Sequence, residues 1–330
     1  MKRSSIVVKI ARLIQTLPLS FMRVVESPVV ALLNRSSDDE NLVILVALPR
    51  SGSTLTYQAL VHTTGALYLS NLWNLLYAIP FFGAVLSGRI CKEYRSNFKS
   101  DQGFVGGACG PAEGLQFWSY WLGNGIDDRN PPKISVHKLH NRINYIRKVF
   151  GVLSRPERPI VTGYIGHTLK LEELRSRFPN AVFVCLRRDP LSTASSILNI
   201  RKLNSKSWFS VFPKECNEYL NSDIYEQIAS QVYWLNRRLD RIAEDPHTVH
   251  VAYESLCQDP GTEIERIVAF LNQKGMSVEV RRPLPDRFQC RLVQKEDGSD
   301  ISRLAEALGR LEKRFGKLSV ARYSVVSNGD

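Results

Sequence analysis

The chain has 330 residues, 44% of them hydrophobic, which suits one large α/β domain or one domain with appendages. Its 44 Lys and Arg residues against 32 Asp and Glu give a net charge of +12. That balance suits phosphate-rich nucleotides, anionic lipids or polyanions, although a merely solvated basic surface would give the same count. Within residues 1–35, no uncharged run reaches the roughly 20 residues that a membrane-spanning helix needs.

The cysteines are scattered, and no Cys-x-x-Cys pair or zinc-ligand spacing is present. A chain of this length does not need a disulfide framework. We therefore expect reduced thiols in a cytosolic protein, with Cys185 in the core and no metal site. The six cysteines are Cys91, Cys109, Cys185, Cys216, Cys257 and Cys290.

Residues 1–40 differ in composition from the rest of the chain and are predicted to be a basic amphipathic N-terminal segment. Residues 1–35 carry a net charge of +5, and apolar residues between Ile6 and Leu17 recur at helical spacing. Lys9 and Arg12 interrupt the only candidate signal sequence. Two interpretations stay open, namely a helix lying on an anionic membrane surface and a terminal helix packed on the domain.

A strand, a loop of small residues and a helix open the predicted domain. Residues 43–48 form an apolar run of strand length, and a helical pattern runs from Ser53 to a stop near Gly65. Residues 49–54, Pro-Arg-Ser-Gly-Ser-Thr, lie between them. Backbone N–H groups at a helix N-terminus favour anions, and Arg50 adds a charge that can contact two oxygens. The predicted anion ligands are Arg50, Ser51, Gly52, Ser53, Thr54 and the N–H of Leu55.

This loop is not a Walker A sequence, because no Gly-Lys-Ser/Thr is present after it and the basic residue precedes the glycine. For the loop alone, the alternative is a turn that joins a strand to a helix without any ligand.

Two stretches that are rich in aromatic residues come next. Residues 67–86 carry no charge, and residues 103–125 combine glycine with aromatic side chains. We interpret the first as a core helix and expect both to shape an acceptor pocket. Glu113 is predicted to be a first-turn acid of a helix that starts near Pro111, where the helix dipole stabilises it. A catalytic role for Glu113 is the less favoured alternative.

A second pattern of strand, break and helix lies later in the chain. The apolar run 181–186 predicts a buried strand, and Asp189-Pro190 separates it from a helix over 191–200. Arg188 stands at the strand end. Ser196, eight residues on, returns to the same helix face about two turns along. This is again a geometry that can bind an anion.

Together these patterns resemble the sulfotransferase family that uses 3′-phosphoadenosine 5′-phosphosulfate (PAPS), in its bacterial and carbohydrate-like branches. Residues 49–54 resemble the family's 5′-phosphosulfate loop, and Arg188 with Ser196 matches its 3′-phosphate segment. Phe178-Pro179-Asn180 and the block Tyr253-Glu254-Ser255-Leu256, Asp259-Pro260, Phe270-Leu271 also fit. The resemblance covers about residues 42–272.

The resemblance implies a three-layer α/β sandwich with a central parallel β-sheet and a P-loop-like nucleotide site. It implies that Arg50 stabilises charge on the bridging and 5′-phosphate oxygens, and that residues 51–55 surround the 5′-phosphosulfate. Arg188 and Ser196 would hold the 3′-phosphate of PAPS, and the arrangement requires no metal.

The general base is the least defined part of the predicted site. His167 matches the position of the base in the cytosolic small-molecule branch, and histidine suits proton transfer near neutral pH. However, Ile165 replaces the lysine that accompanies this base, and Leu55 replaces an aromatic residue beside the adenine. A structural histidine is therefore an open alternative, and Glu113 and His137 are further candidates for the base.

The sequence thus predicts a cytoplasmic sulfotransferase acting on an acceptor hydroxyl, with a sugar or glycolipid as the expected acceptor. We expect one domain over 41–330, with an acceptor-pocket insertion at 66–158 and a basic C-terminal region at 275–330. Contact with the inner membrane surface through residues 1–35 is possible, and no nucleic-acid partner is expected. The alternatives are an ATP-dependent P-loop-like kinase and a non-catalytic anion- or membrane-binding protein.

Overall fold

The computed structural model describes residues 19–33, 40–92, 94–123, 125–130, 134–205, 207–293 and 299–319. Most of the basic N-terminal segment therefore lies outside the described residues. Helix α1, Leu19–Leu32, is the part of that segment that the structure describes.

The centre of the molecule is a five-stranded parallel β-sheet in the order β2-β3-β1-β4-β5. The central strands are short apolar runs with every residue buried, as expected for a parallel sheet covered on both faces. The strands are β1 (Leu42–Val46), β2 (Leu67–Tyr68), β3 (Ile160–Gly163), β4 (Val182–Arg187) and β5 (Thr248–Ala252).

Successive residues of β1 face opposite cores, so the sheet is the middle of three layers. Leu42, Ile44 and Val46 belong to one apolar cluster, and Val43 and Leu45 belong to the other. The predicted three-layer α/β fold with a central parallel sheet is confirmed.

Helices and two short 3₁₀ segments cover the two faces of the sheet. The helices after α1 are α2 (Ser53–Thr64), α3 (Asn71–Leu75), α4 (Pro80–Ile90), α5 (Leu115–Trp121), α6 (Val136–Leu153), α7 (Leu171–Arg177), α8 (Pro190–Asn204), α9 (Ile224–Asp240), α10 (Tyr253–Gln258), α11 (Pro260–Gln273) and α12 (Asp300–Phe315). The 3₁₀ segments are Ile165–Leu169 and Lys214–Tyr219. Among the described residues, no helix is both long and apolar enough to cross a membrane.

The helix predicted to begin at Ser53 is confirmed, and Gly65 ends it in the left-handed conformation at φ 63°. The single core helix predicted over 67–86 is wrong. That stretch begins as the edge strand β2 and then forms α3 and α4. Ser70 caps α3 by accepting from the N–H of Trp73, and Pro80 starts α4, so the chain changes direction twice.

Two cysteines form a disulfide, Cys91–Cys109, so the expectation of six reduced thiols is wrong. The other four cysteines are free, and Cys185 is buried in the core as predicted. Disulfides persist mainly in oxidising compartments. The cytosolic expectation, which depended on reduced thiols, loses that support.

Candidate donor and catalytic site

A cavity of about 570 Å³ lies at the carboxyl ends of β1 and β4. These two strands are neighbours, and the chain leaves them toward opposite sides of the sheet, which is where open α/β sheets bind ligands. The volume lies within the roughly 300–1,000 Å³ typical of small-molecule sites. The predicted ligands that line this cavity are Arg50, Gly52, Ser53, Thr54, Leu55 and Arg188.

The loop after β1 owes its shape to two residues with positive φ. Arg50 has φ 65° and Gly52 has φ 97°, a conformation that favours glycine. A Cβ at Gly52 would lie 2.1 Å from the Tyr253 ring, so only glycine fits between that ring and the start of α2. Backbone conformation and close packing against Tyr253 therefore fix the shape of this loop.

The start of α2 presents its first-turn N–H groups, those of Ser53, Thr54 and Leu55, which have no acceptors within the helix. The side chains contribute less than the sequence suggested. Ser51 is 1% exposed, and its hydroxyl donates to the carbonyl of Leu48 at 2.8 Å, so it shapes the loop. The Thr54 hydroxyl donates to the carbonyl of Gly103 at 3.1 Å.

The structure brings the two predicted anion-binding segments together. Arg188 Nη1 donates to the carbonyl of Arg50 at 2.8 Å, and Arg50 Nε donates to Ser196 Oγ at 3.2 Å. The Arg188 guanidinium also lies 4.7 Å from the centre of the Tyr253 ring. Burial and the nearby Arg188 lower the pKa of Arg50. Because the charge of Arg188 acts on Arg50, a bound anion that contacts both guanidinium groups would be favoured here.

Glu113 lines the same cavity, and burial raises its pKa to about 7. The predicted helix start near Pro111 is wrong, since α5 begins at Leu115 after Gly114, which has φ 77°. Backbone pairing of Ala112 with Leu69 at 2.8 Å keeps the residues before Gly114 extended. Glu113 consequently lies in a loop, directly before the N-cap Gly114, and lines the cavity from there.

The two histidine candidates lie elsewhere. His167 is 0% exposed, packs against the rings of Trp118 and Tyr164, and has its pKa lowered to about 3 by burial. It does not line the cavity. His137 is exposed on α6, where its Nε2 meets the Asn141 amide at 3.1 Å. This placement favours the structural alternative for His167 and leaves Glu113 as the carboxylate beside the donor loop.

The aromatic stretches assigned to the acceptor pocket mostly fill the core. Trp73, Trp118 and Trp121 are each 0% exposed and belong to the larger apolar cluster. The aromatic side chains that line the cavity are Phe98, Trp208, Phe209, Tyr253 and Phe288. The sequence did not identify any of these five as cavity-lining residues. Four of them lie on irregular segments without a motif, and Tyr253 belongs to a block that was interpreted as structural.

Residues 281–293 cross the carboxyl ends of the sheet without forming a helix or strand. The N–H of Phe288 donates to the carbonyl of Cys257 at 2.8 Å, and Arg188 Nη2 donates to the carbonyl of Arg291 at 2.7 Å. Part of the basic C-terminal region therefore covers the predicted 3′-phosphate segment. Among the described residues, no group of three or more His, Cys, Asp or Glu side chains could hold a metal ion.

Comparisons with solved structures give distant similarities. Sulfotransferase STF9 from Mycobacterium avium is 16% identical, with 84% of this chain and 69% of that chain covered and a TM-score of 0.44. Sulfotransferase STF1 from Mycobacterium tuberculosis H37Rv is 13% identical, with 93% of this chain and 78% of that chain covered and a TM-score of 0.44. The sulfotransferase domain from the curacin biosynthetic pathway is 16% identical, with 71% and 74% covered and a TM-score of 0.39. Similarities this distant carry no statement about activity.

The search of curated proteins gave no match. A family model described as "Sulfotransferase family" matches residues 122–275, which include Arg188 and Ser196 but not the loop at 49–54. The resemblance to the sulfotransferase family predicted from the sequence is thereby confirmed over the matched residues, 122–275.

Proposed function

We propose that this protein transfers a sulfuryl group from PAPS to an acceptor hydroxyl. One observation supports this above the others: Arg50 and Arg188 line one cavity and are joined by a 2.8 Å hydrogen bond. Two separate predicted anion-binding segments at one cavity suit an adenosine nucleotide that carries phosphate on both the 3′ and the 5′ oxygen of its ribose. The family match supports sulfuryl transfer as the reaction.

In the proposed reaction, the acceptor oxygen attacks sulfur in line while the bond from sulfur to the bridging phosphate oxygen breaks. Arg50 and the first-turn N–H groups of α2 stabilise the negative charge on the departing phosphate. Arg188 and Ser196 hold the 3′-phosphate and distinguish PAPS from ATP. Adenosine 3′,5′-bisphosphate and the sulfate ester are the products.

Glu113 is the proposed general base that takes the acceptor's proton. It shares the cavity with Ser53 and Thr54 of the donor loop. A pKa of about 7 places it near the value that favours proton transfer at neutral pH. His167 is not proposed, since its full burial keeps it from the cavity.

A sugar or glycolipid remains the proposed acceptor, but the residues that support it lie outside the aromatic stretches 67–86 and 103–125. Phe98, Trp208 and Phe209 line the cavity, and aromatic faces suit both sugar rings and lipid chains. Ser100 and Gln102 add hydrogen-bonding groups on the same wall. This composition supports an acceptor that combines apolar faces with hydroxyl groups.

The decisive assay measures transfer of labelled sulfate from PAPS to glycan and lipid extracts. Arg50→Ala and Arg188→Ala should each abolish transfer and weaken binding of adenosine 3′,5′-bisphosphate at least tenfold. Arg241→Ala is the matched control, because Arg241 is an exposed arginine of the Arg241–Glu172 ion pair, away from the cavity. Tight donor binding without transfer to any extract would remove the enzymatic proposal.

Thermal shift measurements separate PAPS chemistry from the kinase alternative. Adenosine 3′,5′-bisphosphate should raise the melting temperature more than ATP with magnesium, because only the former carries a 3′-phosphate for Arg188 to bind. The opposite order would favour the kinase.

We also propose that the N-terminal segment contacts an anionic membrane surface. In α1, Val24 is 69% exposed and Leu32 is 88% exposed, and residues 1–35 carry a net charge of +5. Sedimentation with vesicles tests this: binding should require anionic lipid and should fail when residues 1–35 are deleted. Equal binding to neutral vesicles would contradict it.

A further inference from the structure

The Cys91–Cys109 disulfide brackets a segment that forms one wall of the cavity. We name residues 94–108 the cavity loop. Four of its residues line the cavity, namely Phe98, Ser100, Gln102 and Gly103. The disulfide therefore joins the end of α4 to the far end of an active-site wall.

Polar contacts with neighbouring segments, rather than buried side chains, hold the cavity loop; the Asn71 amide, for example, donates to the carbonyls of Val105 and Gly107 at 2.7 Å. Val105 is its only buried residue. Phe98 and Gln102 adopt positive φ values of 56° and 49°, which non-glycine residues rarely do. A segment with few buried side chains and unfavourable backbone angles opens readily unless another constraint holds it.

The same loop contacts both parts of the proposed donor site. The carbonyl of Gly103 accepts from the hydroxyl of Thr54 in the 5′-phosphate loop. The Phe98 ring lies 5.1 Å from the ring of Phe288, on the segment whose Arg291 carbonyl accepts from Arg188. Displacement of the cavity loop would thus disturb the surroundings of both anion-binding segments.

We propose that the Cys91–Cys109 disulfide is a redox-sensitive tether that keeps the cavity loop closed against the donor site. Oxidised protein binds adenosine 3′,5′-bisphosphate with a closed loop, and reduced protein holds the loop open and binds the nucleotide more weakly. The effects on nucleotide binding and on sulfuryl transfer rest on the proposed function, whereas the effect on loop closure does not.

The chemical step is thiol–disulfide exchange with a dithiol reductant. One thiolate of dithiothreitol attacks a sulfur of the disulfide and releases the other cysteine as a thiol. The second thiolate of the reagent then displaces the first cysteine, leaving two protein thiols and one oxidised, cyclic reagent. Cys109 is half-buried whereas Cys91 is 5% exposed, so attack is expected at Cys109. The other four cysteines are free thiols, so the reagent changes only this bond.

Limited trypsin digestion reports on the loop, because Arg95 and Lys99 are exposed cleavage sites within it. We expect cleavage at these sites to be at least fivefold faster after reduction, and saturating adenosine 3′,5′-bisphosphate to slow it in oxidised protein. Circular dichroism at the same temperature verifies that the reduced protein stays folded. Equal cleavage rates in folded oxidised and reduced protein would overturn the proposal.

Nucleotide affinity provides the second measurement, made by calorimetry with and without dithiothreitol. We expect at least fivefold weaker binding after reduction, reversed on reoxidation. The variant Cys91→Ser/Cys109→Ser should bind like reduced wild type and should not respond to the reagent. Unchanged affinity in reduced wild type, or a response in the double variant, would overturn the tether. Failure of sulfate transfer with both responses intact would instead count against the proposed function.

Discussion

Replacing Glu113 by glutamine should raise stability while abolishing activity. In the folded protein, burial raises the pKa of Glu113 from its usual 4.5 to about 7. Between pH 4.5 and about pH 7, Glu113 is mostly protonated in the folded protein and mostly ionised in the unfolded chain. The free energy of unfolding therefore falls as pH rises through this window, and the full cost is present above about 7.

The difference between 4.5 and about 7 corresponds to roughly 3 kcal/mol. Glutamine resembles the protonated carboxyl in shape and carries no charge at any of these pH values. Glu113→Gln should thus be more stable than wild type by up to roughly 3 kcal/mol at pH 8 and nearly equal to it at pH 4.

Urea denaturation of the nucleotide-free protein at pH 4, 6 and 8 measures this difference. Glu265→Gln is the matched control, because Glu265 is an exposed carboxylate on α11 that does not line the cavity. In the transfer assay, wild-type activity should rise with pH through about 7. The variant should lose a factor of about 10²–10⁴. A constant stability difference from pH 4 to pH 8 would refute the burial argument, and a variant that keeps its transfer rate would refute the role as base.

Four further predictions concern the scaffold. Gly52→Ala should abolish nucleotide binding and lower stability by at least about 1–2 kcal/mol, because of its positive φ and the 2.1 Å clash. Gly309 lies on the exposed face of α12 with open space around it, so Gly309→Ala should instead stabilise the protein by about 0.5–1 kcal/mol. Urea melts of both variants and of wild type measure these differences. His167→Gln should lose about 1–3 kcal/mol of stability yet keep most of its transfer activity, since the residue is buried away from the cavity; a transfer rate reduced a hundredfold in folded protein would contradict this. Removing the Cys91–Cys109 bond should lower the free energy of unfolding by about 2–4 kcal/mol in non-reducing urea melts, and no change would show that the bond does not constrain the unfolded chain.

Local patterns predicted the elements that build the donor site. The apolar runs at 43–48 and 181–186 correspond to β1 and β4. Short, continuous apolar runs are typical of parallel strands that are buried on both faces. Helix α2 began at Ser53 as expected. The carboxyl ends of neighbouring parallel strands meet at one edge, so Arg50 and Arg188 share a cavity. The positions of Arg50 and Arg188 could be predicted from sequence, because each residue follows its own strand closely along the chain.

Tertiary contacts decided the surroundings of that site. Pairing of Ala112 with Leu69 kept Glu113 out of a helix, and a 5.3 Å Cα separation allowed Cys91 and Cys109 to bond. Neither contact leaves a periodic signal, since each joins segments that are distant in the chain. The sequence by itself therefore determined the parallel sheet and the position of the two predicted anion-binding segments. Only packing decided which carboxylate, which aromatic rings and which loop complete the cavity, because burial and proximity arise from contacts between distant segments.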